Sequence, residues 1–400
     1  MNAQEARGRW LRTLLLLLVS MAFALLLAEL AARFWLERLA DDDRFRRFAS
    51  LDQLRERMEQ EGQSVSPYTP HRYIGYIPSP GYRRQQNHHN RRGYRGGPIP
   101  QPKPAGEFRI ACLGGSTTYG SMVDDPQLAY PAQLERALHA KGYPHVRVIN
   151  AGAEGWASHE SLVNLEFRVL DLAPDLVIVY HAVNDLNGRM VWPFGAFQGD
   201  NSGGVQHSPG LNAAVPLLQR STLARILLIL SGKPSHLALV GNFTVVPKTA
   251  RYWAFLRQKS LGSYPSGYFQ EVSIMDMLDH NPPIYFRRNL ENMVAVAQAH
   301  GVQPVLATFA HSDRVTGDPI LTSPEIVRGI SEHNQLIEEV GAKLGVPVYR
   351  FADEFPDDPP LFIGAVHLSR RGNRVKGKLF ARYLIEAELI PAPEAPAPGS

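Results

Sequence analysis

Cysteine is nearly absent from this chain of 400 residues, in which Cys112 is the single one. It has no partner for an internal disulfide, so a disulfide-built scaffold is excluded and the compartment must be judged from other features. An excess of charge of one sign is also lacking, because 42 Lys and Arg are nearly balanced by 38 Asp and Glu. The net charge of +4 neither indicates nor excludes a polyanionic partner. No internal repeat is visible.

Recognisable metal-binding spacing is missing as well. The chain has 14 histidines, but His88, His89, His311 and His333 stand at no zinc-type distance from cysteines or carboxylates. We interpret these side chains as packed or solvated and predict no metal site.

One long apolar run stands at the N-terminus. Three arginines precede residues 13–28, which carry no charge, and apolar residues extend the stretch to Leu36. This length and charge pattern predicts a membrane-spanning helix. A signal peptide is the rival interpretation, but its small-residue cleavage pattern lies inside the apolar run. We predict an uncleaved single-pass anchor, residues 1–39, which in a bacterium would place the remaining chain in the periplasm, attached to the inner membrane.

Residues 40–105 differ in composition from both flanking segments. Residues 41–63 are highly charged with weak apolar spacing, which is typical of a solvated helical stalk. Residues 65–105 are rich in Pro, Gly, Arg and aromatic residues and predict an ordered loop or an arm over the next domain. Basic stretches with aromatics also suit nucleic acid. In an exported chain we favour packing or an anionic surface, and we predict no nucleic-acid partner.

From Gly106 onward, short apolar runs alternate with helical patterns. This alternation predicts an α/β domain whose parallel sheet is covered by helices on both faces. Five strands are predicted, beginning at Phe108, Val146, Leu176, Gln303 and Pro347. Helical patterns lie at residues 130–140, 159–172, 287–301, 323–345 and 372–389.

The domain predicted for residues 106–390 contains one long gap in this pattern. Residues 188–283 are too many for a simple connection and predict a substrate-shaping insertion. Residues 391–400 are a low-complexity end and predict a disordered tail.

The first predicted strand runs directly into Gly114, Gly115 and Ser116. Open parallel sheets place their sites at the carboxyl ends of strands, and glycines allow a sharp turn that leaves a hydroxyl exposed. Ser116 is therefore a candidate nucleophile. A serine after two glycines is also common as a helix cap or in a phosphate-binding turn.

A serine hydroxyl is a weak nucleophile until a base removes its proton. Among the histidines, His367 is the candidate base, because it follows the last predicted strand and precedes the final helical pattern. Its loop opens on the same edge of the sheet. Taken alone, such a histidine is more often a surface or capping residue.

Acyl transfer also requires hydrogen-bond donors for the oxyanion of the tetrahedral intermediate. Gly155, after the second strand, offers a closely approachable amide, and Asn184, after the third, offers a side-chain amide. Each has a structural alternative, since the glycine suits a turn and Asn184 suits a helix cap. Tyr119, Trp156 and Trp192 lie nearby in sequence and suit either a pocket wall or packing.

Taken in chain order, these segments resemble the SGNH/GDSL hydrolase family over about residues 108–389. An N-terminal anchor, a charged stalk and an arm like residues 90–96 are similar to membrane-anchored bacterial members. The family blocks GGS, the glycine block, GxND and DxxH correspond to Gly114-Gly115-Ser116, Gly155, Ala182-Val183-Asn184-Asp185 and Gly364-Ala365-Val366-His367.

The resemblance implies a flavodoxin-like three-layer α/β/α domain, an acyl-serine intermediate, no metal and no organic cofactor. It implies that Ser116 is the nucleophile and His367 its base. The Ser116 amide, the Gly155 amide and the Asn184 side chain would form the oxyanion hole.

The sequence departs from the family where an aspartate normally orients the histidine, because Gly364 stands there. A Ser-His dyad oriented by a backbone carbonyl is one alternative. The other is a carboxylate from the preceding loop, supplied by Asp353, Glu354, Asp357 or Asp358.

We therefore expect a serine esterase that cleaves a small acyl ester, with an O-acetyl group of an envelope glycan or glycolipid as the substrate hypothesis. An O-acyltransferase with the same acyl-serine is the first alternative. A catalytically inactive envelope-binding protein is the second, favoured by the missing aspartate. A long-chain lipase is the third and would need an apolar channel, which residues 226–241 could line.

Overall fold

The computed structural model of the chain describes residues 3–41, 44–45, 48–50, 53, 67–191, 194–200, 220–231, 273–315 and 321–392. The chain divides into two units, of which the smaller combines residues 1–62 with 210–241. The larger combines residues 63–209 with 242–400.

The larger unit contains a central sheet and several short hairpins. Its strands are β1 (Tyr68–His71), β2 (Gly75–Pro78), β3 (Arg83–Arg84), β4 (Asn87–His88), β5 (Phe108–Gly114), β6 (Val146–Asn150), β7 (Leu176–Tyr180), β8 (Gln303–Ala307), β9 (Val348–Tyr349), β10 (Phe362–Ile363) and β11 (His367–Leu368).

Five parallel strands form the central sheet, in the order β6-β5-β7-β8-β9. Ile110 of β5 lies opposite Val148 of β6 on one side and Leu176 of β7 on the other. Counted along the chain from β5, this is the 2-1-3-4-5 order of flavodoxin-like folds. The predicted five-stranded parallel sheet is therefore confirmed.

Both faces of the sheet are buried. Successive side chains of a strand point to opposite faces, so Ile110 and Cys112 enter one apolar cluster while Ala111 and Leu113 enter the other. Leu134 and Phe380, from two helices, complete the first cluster, and helical residues such as Leu290 complete the second. Burial on both faces explains why the strands read as almost continuous apolar runs.

The helices of the larger unit connect the strands and cover the sheet. They are Ser116–Tyr119, Tyr130–Ala140, Ser158–Asn164, Val183–Arg189, Ile274–His280, Ile284–Ala299, Pro324–Leu344, Phe351–Glu354 and Arg370–Glu386. The helical pattern predicted for residues 159–172 continues beyond Asn164 as a π-helical turn, Leu165–Val169, and a 3-10 turn, Leu170–Leu172.

Two strands end earlier than predicted. Strand β8 stops at Ala307, because the Phe309 backbone N–H donates to Asn334 Oδ1 at 2.7 Å instead of to a neighbouring strand. Strand β9 is limited to Val348–Tyr349, since Phe351 begins a short helix.

The segment before the sheet is ordered as two antiparallel hairpins, β1–β2 and β3–β4. Arg95, beyond the second hairpin, forms isolated bridges with His89 and with Asn150 of β6. This segment, residues 67–105, therefore pairs with the edge of the central sheet, and we call it the arm.

The smaller unit contains a helix, Ala3–Phe34, a π-helical turn, Trp35–Leu39, and a second helix, Thr222–Leu230. Within the described residues one helical span, Arg9–Leu39, is long and apolar enough to cross a membrane, a test that a signal sequence also passes. Most of the predicted stalk, much of the predicted insertion and residues 393–400 of the predicted tail lie outside the described residues.

Candidate active site

Ser116 lies immediately beyond β5, at the first position of the helix Ser116–Tyr119. This turn leaves no room for side chains at the two preceding positions, which are both glycine. A Cβ added at Gly114 would lie 2.1 Å from Thr118 Oγ1, and one at Gly115 would lie 2.5 Å from Asn184 Nδ2. The Gly115 carbonyl accepts from the backbone N–H groups of Thr118 and Tyr119 at 3.0 and 2.9 Å. The turn thus leaves the half-buried Ser116 hydroxyl at the carboxyl edge of the sheet.

His367 lies next to this serine although 251 residues separate them in sequence. Its Nε2 is 2.9 Å from Ser116 Oγ, which is hydrogen-bond distance. The histidine is carried by the β10–β11 hairpin, where it lies opposite Ile363. Gly364 begins the turn of this hairpin with a φ of +71°, a conformation that side chains disfavour. The turn geometry is therefore a local reason for glycine at the family's aspartate position.

The carboxylates of the preceding loop have other surroundings. Glu354 is exposed and accepts from Tyr349 Oη at 3.0 Å and from Arg382. Asp357 is exposed and lies 4.0 Å from Arg314, while Asp353 is exposed and Asp358 precedes a 3-10 turn. Glu354 is thus hydrogen-bonded to Tyr349 and Arg382, and Asp357 is at ion-pair distance from Arg314.

Asn184 lies on the other side of the serine turn, in the helix Val183–Arg189 that follows β7. Its side chain is buried, and Nδ2 donates to the Trp156 carbonyl oxygen at 2.8 Å. A primary amide has two N–H groups. One is committed to Trp156, and this bond holds the amide in place for a second acceptor.

The loop around Gly155 is braced by the arm. Gly155 has a φ of +74°, and its neighbour Trp156 is buried and donates from Nε1 to the Tyr76 carbonyl oxygen at 3.2 Å. Tyr76 Oη in turn donates to the Glu154 carbonyl oxygen at 2.5 Å. Trp156 and Tyr119 are therefore packed side chains rather than exposed pocket walls, and Trp192 lies outside the described residues.

Arg95 is a residue of the site that the sequence did not single out. It is buried, and its guanidinium donates from Nη1 to the carbonyl oxygens of Tyr119 and Gly120 at 2.6 and 2.7 Å. From Nη2 it donates to Val123 O and, at 3.3 Å, to Asp124 O. A rigid fork of donors suits several carbonyls at once. Arg95 thus ties the arm to the end of the turn that begins with Ser116.

The arm also contacts the ring of Tyr119 at the end of this turn. His89 Nε2 lies 2.8 Å from Tyr119 Oη, and Asn87 Nδ2 donates to the same oxygen at 3.3 Å. Burial lowers the pKa of His89 to about 4, so its ring is neutral near pH 7. The family-like arm, residues 90–96, was the available signal for the contacts of Arg95, whereas Asn87 and His89 lie just before it.

A buried polar network joins the segments of Gly155 and Asn184. Asp185 accepts from the Ser158 backbone N–H at 3.0 Å and from its hydroxyl at 2.5 Å. His181 Nε2 is 2.7 Å from Ser161 Oγ. Burial raises the pKa of Asp185 to about 6 and lowers that of His181 to about 3. The network fixes the helix that carries Asn184 against the loop that carries Trp156.

The histidines considered for a metal are held by other contacts. His311 Nε2 is 2.7 Å from the Leu321 carbonyl oxygen, His88 Nδ1 is 2.9 Å from the Gln86 carbonyl oxygen, and His333 stacks on Phe286. In the described part of the chain, no group of three or more His, Cys, Asp or Glu side chains could hold a metal ion.

A serine hydroxyl within hydrogen-bond distance of a histidine is the arrangement of nucleophile and base that serine hydrolases use. The profile of the "GDSL-like Lipase/Acylhydrolase family" matches residues 112–375, which is more than half of the chain, and the chain therefore belongs to this family. It is a carboxylic ester hydrolase.

Several solved structures are similar to this chain. A lipase/acylhydrolase from Enterococcus faecalis has 18% identity and a TM-score of 0.41, with coverage of 72% of this chain and 100% of that one. The acetyl xylan esterase AlAXEase has 13% identity and a TM-score of 0.40, with coverage of 69% and 100%. The acetylxylan esterase Axe2 from Geobacillus stearothermophilus, as a catalytic mutant, has 14% identity and a TM-score of 0.37, with coverage of 69% and 93%. No curated protein matches the chain.

Proposed function

We propose that Ser116 is the catalytic nucleophile of this ester hydrolase and that His367 is its general base. The observation that carries the proposal is the 2.9 Å distance between His367 Nε2 and Ser116 Oγ. With its proton on Nδ1, the neutral imidazole accepts the hydroxyl proton at Nε2 as Ser116 Oγ attacks the ester carbonyl. The imidazolium then protonates the leaving alcohol, and water releases the acid from the acyl-serine.

The proposed oxyanion hole consists of the backbone N–H groups of Ser116 and Gly155 and the side chain of Asn184. The Ser116 amide is among the first N–H groups of its helix, which have no partner within the helix. The Asn184 amide is already held by the Trp156 carbonyl, so it needs no reorganisation during the reaction. Preorganised donors of this kind supply a large part of the rate enhancement in acyl transfer.

We propose that the β10–β11 hairpin positions the ring of His367, because Gly364 stands where the family has an aspartate. This hairpin is held to the domain by the Ser312 backbone N–H, which donates to the Ala365 carbonyl oxygen at 2.9 Å. Of the carboxylates in the preceding loop, Glu354 is paired with Arg382 and Asp357 with Arg314.

The proposed substrate is a small acyl ester, with an O-acetyl group of an envelope glycan as the specific hypothesis. A long-chain lipase would need an apolar channel, for which the sequence offered residues 226–241. In the described part of that stretch, Ile226 and Ile229 instead pack with Leu36 and Phe48 within the smaller unit. A membrane anchor, a stalk and arm over residues 40–105 and a periplasmic catalytic domain complete the proposed organisation.

The first test is hydrolysis of p-nitrophenyl acetate by the full chain in detergent. Ser116→Ala and His367→Ala should each lower kcat by at least about 10³-fold, because a nucleophile and its base act as a unit. Ser231→Ala and His300→Ala are matched controls, since both side chains are exposed and neither belongs to the proposed site, so these variants should keep full activity. A folded Ser116→Ala variant with wild-type activity would refute the mechanism.

The acceptor is tested separately with an acetylated substrate. Acetate release in water, without any added glycan, supports hydrolysis. Transfer only when a glycan is supplied would assign the same acyl-serine to a transferase, and no turnover by the folded chain with either acceptor would indicate a binding protein.

A further inference from the structure

The chain returns to the N-terminal helix within the smaller unit. Ser221 Oγ donates to Glu29 Oε2 at 2.7 Å across 192 positions of sequence. The backbone N–H groups of Thr222 and Leu223 both donate to the same carboxylate at 2.9 Å. These are the first amides of the helix Thr222–Leu230, which otherwise lack partners. Glu29 therefore serves as the cap of a helix that is remote in sequence.

This contact also accounts for Glu29 itself. An acidic side chain within a membrane-spanning helix is costly unless it is paired. Glu29 is paired twice over, with the amides of the 222–230 helix and with Arg33 Nε at 2.7 Å. The Glu29 carboxylate thus gains hydrogen-bond donors, and the first N–H groups of the 222–230 helix gain an acceptor.

A second tie joins the 222–230 helix to the chain after the N-terminal helix. Arg225 is buried and donates from Nε to the Phe48 carbonyl oxygen at 2.6 Å and from Nη2 to Gln53 Oε1 at 2.8 Å. Leu36, Phe45, Phe48 and Ala49 form a buried apolar cluster, and Trp35, Ala40, Ile226 and Ile229 pack against it.

The two helices run in the same direction. The amino end of the 222–230 helix lies at Glu29, whereas Ile226 and Ile229 reach the cluster around Leu36. Leu227 and Leu230 face outward with 57% and 63% exposure, as Phe34 and Leu39 do on the first helix with 60% and 64%. The exposed apolar surface of the N-terminal span therefore continues onto the second helix.

The length of the apolar span agrees with a bilayer including its headgroups. The 31 residues of Arg9–Leu39 extend about 46 Å at 1.5 Å per residue, against roughly 40–45 Å for a bilayer with both interfacial regions. Leu39, Leu227 and Leu230 then fall near one end of this span, at the level of the interface.

We propose that the 222–230 helix and the N-terminal helix form one membrane-bound unit, in which the 222–230 helix packs on the anchor and places Leu227 and Leu230 in the lipid interface. Removal of the N-terminal helix by a signal peptidase would take Glu29 away from the Ser221 hydroxyl and from the backbone N–H groups of Thr222 and Leu223. The anchor is therefore retained. The catalytic unit is joined to it through the 222–230 helix as well as through the chain that directly follows the N-terminal helix.

The proposed attachment through the 222–230 helix is tested by cutting the direct chain connection between the anchor and the catalytic unit. A site-specific protease sequence is inserted after Gly62 of the full chain, and isolated membranes are treated with the protease. The cut catalytic fragment should remain in the membrane pellet. Glu29→Leu combined with Arg225→Met should release most of it, although the anchor still inserts, and the matched Glu166→Leu variant should not. Release of the cut wild-type fragment, or a mature N-terminus beyond Leu36, would overturn the proposal.

The lipid contact is tested with a fluorescent thiol label in vesicles. Cys112 is buried, so Leu230→Cys offers one accessible thiol, and Ile284→Cys, an exposed position on the larger unit, is the control. Quenchers attached to lipid headgroups should quench the label at residue 230 several-fold more strongly than at 284. Equal quenching would refute the lipid contact. Self-quenching at residue 230 that disappears on dilution with unlabelled chain would assign the surface to a second copy and also refute it.

Discussion

Gly115→Ala should inactivate the enzyme without unfolding it. The φ of Gly115 is −87°, and the expected effect of a methyl group follows from the contacts that its Cβ would make. The new Cβ would lie 2.5 Å from Asn184 Nδ2 and 2.9 Å from the Trp156 carbonyl oxygen. Ordinary contacts are about 3.5 Å or more, so the amide must move by about 1 Å.

The expected magnitude follows from the oxyanion-hole role proposed for the Asn184 amide. Loss of one oxyanion donor costs about 10²–10³-fold in kcat, and a 1 Å misplacement alone costs about 10²-fold. We expect kcat on p-nitrophenyl acetate to fall within this range. Overpacking should cost about 1–3 kcal/mol of stability, a decrease of several degrees in Tm. Gly97→Ala is the matched control, because its Cβ would meet no atom within 4 Å.

A double-mutant cycle identifies the cause. Asn184→Ala removes the amide without overpacking, and the double variant should be no slower than the slower single variant, because both changes act on one group. Additive losses in kcat, or a folded Gly115→Ala enzyme with wild-type kcat, would refute the reasoning.

Three further predictions concern buried groups. Lys376 is fully buried between the Tyr130 and Tyr180 rings, and burial lowers its pKa well below the usual value. The unfolded chain then binds one more proton than the folded chain, so the free energy of unfolding of the wild type should rise by up to about 1.4 kcal/mol per pH unit toward alkaline pH. In urea unfolding, Lys376→Met should lack this contribution to the slope and be more stable than the wild type at neutral pH. Equal slopes for the two proteins would contradict the prediction. Burial raises the pKa of Asp185 to about 6, so its effect on stability has the opposite pH dependence. Its contribution to the free energy of unfolding is present below about pH 4 and is lost as pH rises through 6, by roughly 3 kcal/mol relative to Asp185→Asn. Parallel curves of stability against pH for the two proteins would contradict this. Arg95→Lys should lower kcat by about 10-fold or more with little change in KM, because an ammonium cannot reach four carbonyls; Arg91→Lys, an exposed neighbour, is the control, and a drop in Tm without a drop in kcat would assign Arg95 a structural role only.

Much of the fold was predictable because the relevant signals are local. Parallel strands buried on both faces must be apolar almost throughout, so three of the five strands, β5, β6 and β7, have the predicted bounds. The prediction was less accurate at β8 and β9, where a side-chain acceptor, Asn334, and a helix start at Phe351 compete with strand pairing. Neither competitor is visible in a local pattern.

The candidate site was predictable only in part. Ser116, Gly155, Asn184 and His367 were named because each follows a predicted strand, and strand ends share one edge of a sheet. The role of Arg95 could not be read in this way, since its donors bind backbone carbonyls. Any residue type presents such carbonyls, so they leave no mark in the sequence.

The sequence by itself determined the layered α/β domain, the apolar N-terminal span and the residue types at the strand ends, because hydrophobic period and glycine placement act over a few neighbouring residues. Only the tertiary structure decided which distant groups meet. It brought His367 within 2.9 Å of Ser116 and the 222–230 helix onto Glu29, across 251 and 192 positions. Contacts at such separations depend on the packing of whole elements, and that packing is a property of the folded chain rather than of any local segment.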